Sequence, residues 1–84
     1  LVNRVAPAGQ VAAAAEALAR ELAGKSAAAS RTAKRLVDQG LDLTLAEGLE
    51  LERHLAAEHM RGADAAEGLR AFAEKRAPVF RSGR

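Results

Sequence analysis

The 84 residues carry a net charge of +2 and suggest one small domain or a part of a larger protein. The absence of cysteine excludes disulfides and thiolate metal sites, and no apolar run approaches the roughly 20 residues of a membrane span. Alanine supplies 22 of the 41 hydrophobic residues, so the core must be thin, and we expect the chain to need a partner surface. We expect no membrane contact and a cytoplasmic location.

The chain opens with the apolar run LVNRVAP rather than with an initiator Met. Leu1 to Val5 is rich in Val and Leu and predicts a short edge strand whose sheet is not part of this chain. The opening predicts that these residues continue a longer protein. The final RSGR is polar and flexible in character, as is typical of a terminus.

Two alanine-rich helices are predicted next, at about 8–23 and 27–38. Apolar residues recur at helical spacing in the first helix, and Gly24 offers a natural stop just past its last turn. Ser26 can cap the start of the second helix with its hydroxyl, and Gly40 can end it.

A third helix is predicted at about 45–60. Thr44 and Glu47 fit a capping box, in which each side chain binds the other residue's backbone N–H. Gly48 costs about 1 kcal/mol relative to Ala inside a helix, so its presence suggests the close approach of another helix.

A fourth helix is predicted at about 65–76. Asp64 and Glu67 repeat the capping-box pattern at its start. Pro78 disfavours helical angles at Ala77, so the helix must end near there. The predicted fold is therefore all-α, with about four helices after a short strand-like segment.

The order of these segments carries a resemblance to a known family. LVNRVAP, an alanine-rich helix, GLDLTLAEGLELE and DAAEGLRAFAEKRAPVF together resemble the C-terminal part of the enoyl-CoA hydratase/isomerase family, the crotonase fold. The resemblance covers essentially the whole chain. It departs at Ala27, where the family usually has Pro after the Ser, and this affects only the first position of one helix. The chain is predicted to be one C-terminal helical domain, residues 1–84, without the parent's N-terminal catalytic domain.

The resemblance implies a parent enzyme that acts on acyl-CoA thioesters, with hydration of 2-enoyl-CoA in fatty-acid metabolism as the expected reaction. Isomerases and other members of the family share this C-terminal part, so isomerisation is the alternative reaction of the parent. Two backbone N–H groups of that family stabilise the thioester oxygen as it gains enolate charge, and carboxylates move protons. Those residues precede the segment that this chain resembles. No catalytic residue, metal ligand or covalently bound cofactor is therefore expected here, and the 84 residues alone should be inactive.

The resemblance also implies contacts for the C-terminal helices. In the family they cover an active site, often a neighbouring subunit's, and help to build trimers that pair into hexamers. The last helix commonly offers a Phe and a Lys to coenzyme A, and the matching positions are Phe72 and Lys75. The isolated chain should self-associate or swap helices. The alternative is a free-standing helical self-association module without catalytic activity.

Phe72, Lys75 and Arg76 are spaced to share one helix face. In the functional interpretation, Phe72 lines a ligand pocket and Lys75 meets a CoA phosphate. In the structural interpretation, Phe72 is core and the two cations offset the charge of the helix C-terminus. The last 24 residues carry 6 basic and 3 acidic side chains, which suits a local anionic contact.

Other polar residues predict no further site. His54 and His59 are five apart, not the four of helical zinc pairs, so a metal site is not expected. Glu50 and Glu52 are expected on a solvated or intersubunit face. The basic stretch 30–35 lacks interleaved aromatic residues, so we expect no nucleic-acid binding.

Overall fold

The computed structural model describes residues 1–81, in which the ordered elements are four α-helices and no strand occurs. The helices are α1 Val11–Ala23, α2 Ala27–Gly40, α3 Leu45–Met60 and α4 Ala63–Ala73. The predicted all-α class and the number of helices are confirmed. The polar end that was predicted to be flexible lies, beyond Arg81, outside the described residues.

The N-terminal segment differs from its prediction. Leu1 to Val5 is exposed and forms no strand, because a strand needs a second strand to pair with its backbone and residues 1–81 supply none. The first helix begins three residues later than predicted. Gly9 adopts a φ of 82°, and the Gln10 N–H donates to the Pro7 carbonyl at 3.0 Å, so a turn occupies the positions before α1.

Local side-chain caps start α2 and α3 as predicted. The Ser26 hydroxyl accepts the Ala29 N–H at 3.0 Å. Thr44 Oγ1 accepts the Glu47 N–H at 3.2 Å, and the Glu47 carboxylate accepts the Thr44 N–H at 3.0 Å. The hydrogen bond from the Thr44 backbone, helped by its side chain, lowers the pKa of Glu47. Both caps are confirmed.

The main helix packing runs from α2 to α3 and from α3 to α4. Gly48 of α3 faces the end of α2, where a Cβ would lie 3.6 Å from the Gly40 carbonyl oxygen. The two helices are close here, as predicted, but an added methyl would make an ordinary van der Waals contact. The space at Gly62 is smaller, because a Cβ there would lie 3.1 Å from the His59 carbonyl oxygen.

The core is very small. Leu55, Ala65 and Ala71 are the buried hydrophobic residues of the described chain, and α1 buries none. The accessible surface is 7070 Å², whereas a compact monomer of 8.8 kDa exposes about 4,800 Å². The radius of gyration is 16.1 Å, against about 12 Å for a compact domain of this length. The helices therefore form an open arrangement rather than a closed globule.

Apolar side chains cover much of the open surface. On the segment before α1 and on α1 itself the exposed large residues are Leu1, Val2, Val5, Val11, Leu18 and Leu22. On and around α3 and α4 they include Leu43, Leu45, Leu49, Met60, Leu69 and Phe72. Within residues 1–81, no helix combines the length and the apolar character that crossing a bilayer requires.

Candidate ligand-contacting end of the last helix

The start of α4 differs from its prediction. The helix begins at Ala63 with Gly62 as its N-cap, and no side chain caps it. The predicted capping box of Asp64 and Glu67 is wrong, because both carboxylates bind residues from other parts of the chain. These two acids lie one helical turn apart, and instead of capping α4 they bind the start of α2 and residues 76–81.

Asp64 joins the start of α4 to the start of α2. Its Oδ2 accepts the Ser26 hydroxyl at 2.6 Å across 38 residues of sequence. Both side chains are buried, with 7% and 6% of their surface exposed. Ser26 uses one hydroxyl twice, since it donates to Asp64 while accepting the Ala29 N–H. The other Asp64 oxygen accepts the Arg81 N–H at 3.4 Å.

The end of α4 is a turn in which Lys75 takes a left-handed conformation. Lys75 has a φ of 53°, its N–H donates to the Phe72 carbonyl at 3.2 Å, and the Arg76 N–H donates to the Ala71 carbonyl at 3.0 Å. This pair of bonds is the Schellman motif, whose left-handed position is usually glycine. The helix therefore ends at Ala73 rather than at the predicted 76.

This turn corrects the predicted shared face. Phe72 lies in the last turn of α4, whereas Lys75 and Arg76 follow the helix and leave its regular spacing. The three residues are therefore neighbours in the chain but not members of one helical stripe.

Glu67 binds the segment that follows the turn. Its carboxylate forms a two-bond fork with Arg76, with Oε1 to Nη1 at 2.6 Å and Oε2 to Nη2 at 3.2 Å. The same Oε1 also accepts the Val79 N–H at 3.0 Å. The hydrogen bonds from Arg76 and then from Val79 lower the pKa of Glu67 to about 2. The carboxylate is therefore ionised throughout the neutral range.

The Arg76 guanidinium makes further contacts beside the fork with Glu67. It also binds the Glu74 carboxylate and donates to the Ala77 carbonyl at 3.2 Å. The hydrogen bonds with Glu67, and then with Glu74, raise the pKa of Arg76. Its charge is therefore committed to two carboxylates rather than to the carbonyls at the helix end.

Phe72 and Lys75, the two predicted ligand contacts, lie on the open surface. Phe72 is 85% exposed, so it is not core within this chain. Lys75 is exposed and, among residues 1–81, has no carboxylate within ion-pair distance. Their backbones are brought together by the hydrogen bond of the turn. Neither side chain lines the two cavities of about 470 and 420 Å³ in the described chain.

The larger of these two cavities lies where α2, α3 and the start of α4 meet. Its volume is about 470 Å³, and its lining includes Thr32, Leu55, Glu58, His59 and Asp64. Sequence reasoning gave no signal for it, because its walls combine residues of three helices whose packing a sequence pattern does not show.

The two histidines occupy different surroundings. His54 is exposed on α3 with its Nε2 4.0 Å from Glu58, whereas His59 is half-buried against the cavity. In the part of the chain that the structure describes, no three His, Asp or Glu side chains converge to hold a metal ion.

Known proteins resemble the chain in both sequence and structure. The family model described as enoyl-CoA hydratase/isomerase matches residues 1–83. A Mycobacterium bovis protein named "Probable enoyl-CoA hydratase" is 42% identical over 80 residues, which are 95% of this chain and 31% of that protein. The mitochondrial methylglutaconyl-CoA hydratase of Mus musculus is 39% identical over 64 residues, 76% of this chain and 20% of its own.

The helical arrangement also matches a solved enzyme. The 1.8 Å crystal structure of an enoyl-CoA hydratase from Bacillus anthracis superposes with a TM-score of 0.86 and 31% identity, over 93% of this chain and 30% of that one. The chain thus spans less than a third of the length of these relatives. Since the family model covers nearly every residue and the fold agrees, the chain belongs to the enoyl-CoA hydratase/isomerase family.

Proposed function

We propose that these residues form the C-terminal helical domain of an enzyme that adds water to 2-enoyl-CoA thioesters. The catalytic groups then belong to the remaining two thirds of such an enzyme, and the helices cover its active site and join its subunits. Family membership supports the reaction class. The observation that carries the covering role is the open arrangement of the four helices, which leaves their apolar sides without a partner.

The size of the uncovered surface suits this role. The chain exposes about 2,300 Å² more than a compact monomer of its mass would. Interfaces of permanent complexes bury about 2,000–5,000 Å² in total, or about 1,000–2,500 Å² on each partner, so the excess lies within the area that one side of a stable interface buries. The thin alanine-rich core explains why the helices cannot supply that burial among themselves.

Lys75 and Phe72 are the proposed contacts with coenzyme A. Lys75 offers an exposed cation with no carboxylate partner in the described chain, and a lysine ammonium acts as a point charge towards phosphate. It also occupies a left-handed position that glycine would occupy at lower cost. Phe72 offers an exposed ring one residue before the end of α4. No covalently bound cofactor is needed.

Steady-state kinetics of the complete polypeptide with crotonyl-CoA test the Lys75 contact. Replacement Lys75→Ala should raise KM about fivefold, the magnitude of a partly exposed ion pair, and leave kcat nearly unchanged. Lys34→Ala removes an exposed cation from α2 and serves as the matched control. An unchanged KM in Lys75→Ala would remove this residue from the site.

Two measurements on the 84-residue chain test whether the helices depend on the rest of the enzyme for activity and for burial of their apolar faces. It should not hydrate crotonyl-CoA, and light scattering should show self-association through its apolar faces. A monomer at high concentration that melts cooperatively would contradict the proposal. A defined dimer, together with an inactive complete polypeptide, would favour the free-standing association module.

Assembly and location are further parts of the proposal. We propose a trimer or hexamer for the complete enzyme, which its mass in solution tests. A cytoplasmic location stays a prediction, since the relatives include a mitochondrial protein.

A further inference from the structure

The left-handed conformation of Lys75 requires support from its surroundings. Residues other than glycine avoid this region, because Cβ approaches the following carbonyl oxygen. A lysine remains there only if neighbouring contacts determine the backbone on both sides. On the N-terminal side, the support is the hydrogen bond of its own N–H to the Phe72 carbonyl.

On the C-terminal side, the Arg76 N–H donates to the Ala71 carbonyl, and Glu67 supplies the side-chain support. Arg76 directly follows Lys75, and its guanidinium is held by the two-bond fork with Glu67. Val79, three residues further, donates its N–H to the same carboxylate. Glu67 lies on the regular part of α4 and is half-buried, so it is a fixed point for the segment after the turn.

The segment continues along α4 after these bonds. The Phe80 ring approaches Gly68, where an added Cβ would lie 3.9 Å from Cε1, and the Arg81 N–H reaches Asp64. Residues 76–81 are thus bound along α4 by the two acids of that helix, Asp64 and Glu67. With both of its flanks fixed, the Cα–Cβ bond of Lys75 leaves the turn in one direction.

We propose that Glu67 is a positioning residue, which fixes the direction in which the Lys75 side chain leaves the turn by holding Arg76 and Val79. This inference rests on the proposed contact between Lys75 and coenzyme A. Glu67 touches no ligand in this scheme and acts entirely through the backbone of the turn. Its effect on binding should therefore vanish when the lysine side chain is absent.

A double-mutant cycle on the complete polypeptide tests this dependence. Free coenzyme A is the probe, and its dissociation constant is measured by calorimetry. Lys75→Ala should weaken binding about fivefold, and Glu67→Gln about threefold, because the amide loses the charge that holds Arg76. The double variant should bind no more weakly than Lys75→Ala alone. In kinetics, Glu67→Gln should raise KM while leaving kcat near its original value.

Two variants separate positioning from general damage. Glu50→Gln breaks an exposed ion pair with Arg53 on α3 and should leave binding unchanged. Arg76→Lys keeps the charge but cannot form the fork, so it should weaken binding as Glu67→Gln does. If Glu67→Gln fails to fold, Arg76→Lys tests the same positioning role.

The outcomes distinguish the two proposals. Unchanged binding in Lys75→Ala overturns the contact in the proposed function. Weaker binding in Lys75→Ala with no effect of Glu67→Gln, or with effects that multiply in the double variant, overturns the positioning role alone.

Discussion

Replacement of Ser26 by alanine should destabilise the chain more than the loss of an ordinary helix cap. The hydroxyl caps α2 by accepting the Ala29 N–H, and it donates to the buried carboxylate of Asp64. Loss of a serine cap costs about 1 kcal/mol. A hydrogen bond to a charged group contributes about 1.5–3 kcal/mol, and a buried carboxylate that loses a donor is costly. The expected total is about 3 kcal/mol in the free energy of unfolding.

Thr44→Ala is the matched control for this experiment. Thr44 makes the same kind of cap at the start of α3, but it is exposed and its hydroxyl reaches no distant residue within residues 1–81. Its loss should cost only about 1 kcal/mol. Urea unfolding followed by circular dichroism measures both, at one protein concentration, because self-association would otherwise shift the apparent stability. Equal losses in the two variants would refute the argument that Asp64 depends on Ser26.

Three further expectations follow from the same structure. Lys75→Gly should raise the free energy of unfolding by up to about 1 kcal/mol in urea, since glycine tolerates the left-handed turn, while the same change weakens coenzyme A binding. The folded pKa of Glu67 is lowered from 4.5 to about 2, so its bonds to Arg76 stabilise the fold above pH 4.5 and are lost as the pH falls towards 2. At neutral pH the free energy of unfolding of the original chain should therefore exceed that of Glu67→Gln, and acid titrations should show this difference shrinking as the pH falls from 4.5 towards 2. A difference that stays constant would count against the ion pair. Gly48→Ala should raise the thermal midpoint, because helix propensity improves by up to about 1 kcal/mol and the methyl fits, whereas Gly62→Ala should lower it. Similar shifts in the two glycine variants would show that the difference in space around them has no effect.

The starts of α2 and α3 could be predicted because their caps are local. Ser26 and Thr44 bind an N–H only three residues away, so a four-residue pattern contains the whole interaction. The same pattern failed at Asp64 because its partners, Ser26 and Arg81, are 38 and 17 residues distant. A sequence pattern does not show that tertiary bonds will take a carboxylate away from its own helix.

The end of α4 could not be predicted for a related reason. Pro78 correctly indicated a stop, but the helix ends earlier because Lys75 takes the conformation that glycine normally signals. Its stabilising contact is the fork between Glu67 and Arg76, whose nine-residue separation is not a helical spacing. The candidate ligand residues came from the family resemblance, and the geometry that holds them came only from the structure.

The contact between Ser26 and Asp64 has a consequence for the order in which the molecule assembles. Closing a 38-residue loop is entropically costly, whereas α2 and α3 are neighbours in the chain and meet through a short turn. We therefore expect the α2–α3 hairpin to form before the start of α4 docks against α2. A bond that forms after the folding transition state changes the folding rate little and instead slows the detachment of α4 during unfolding.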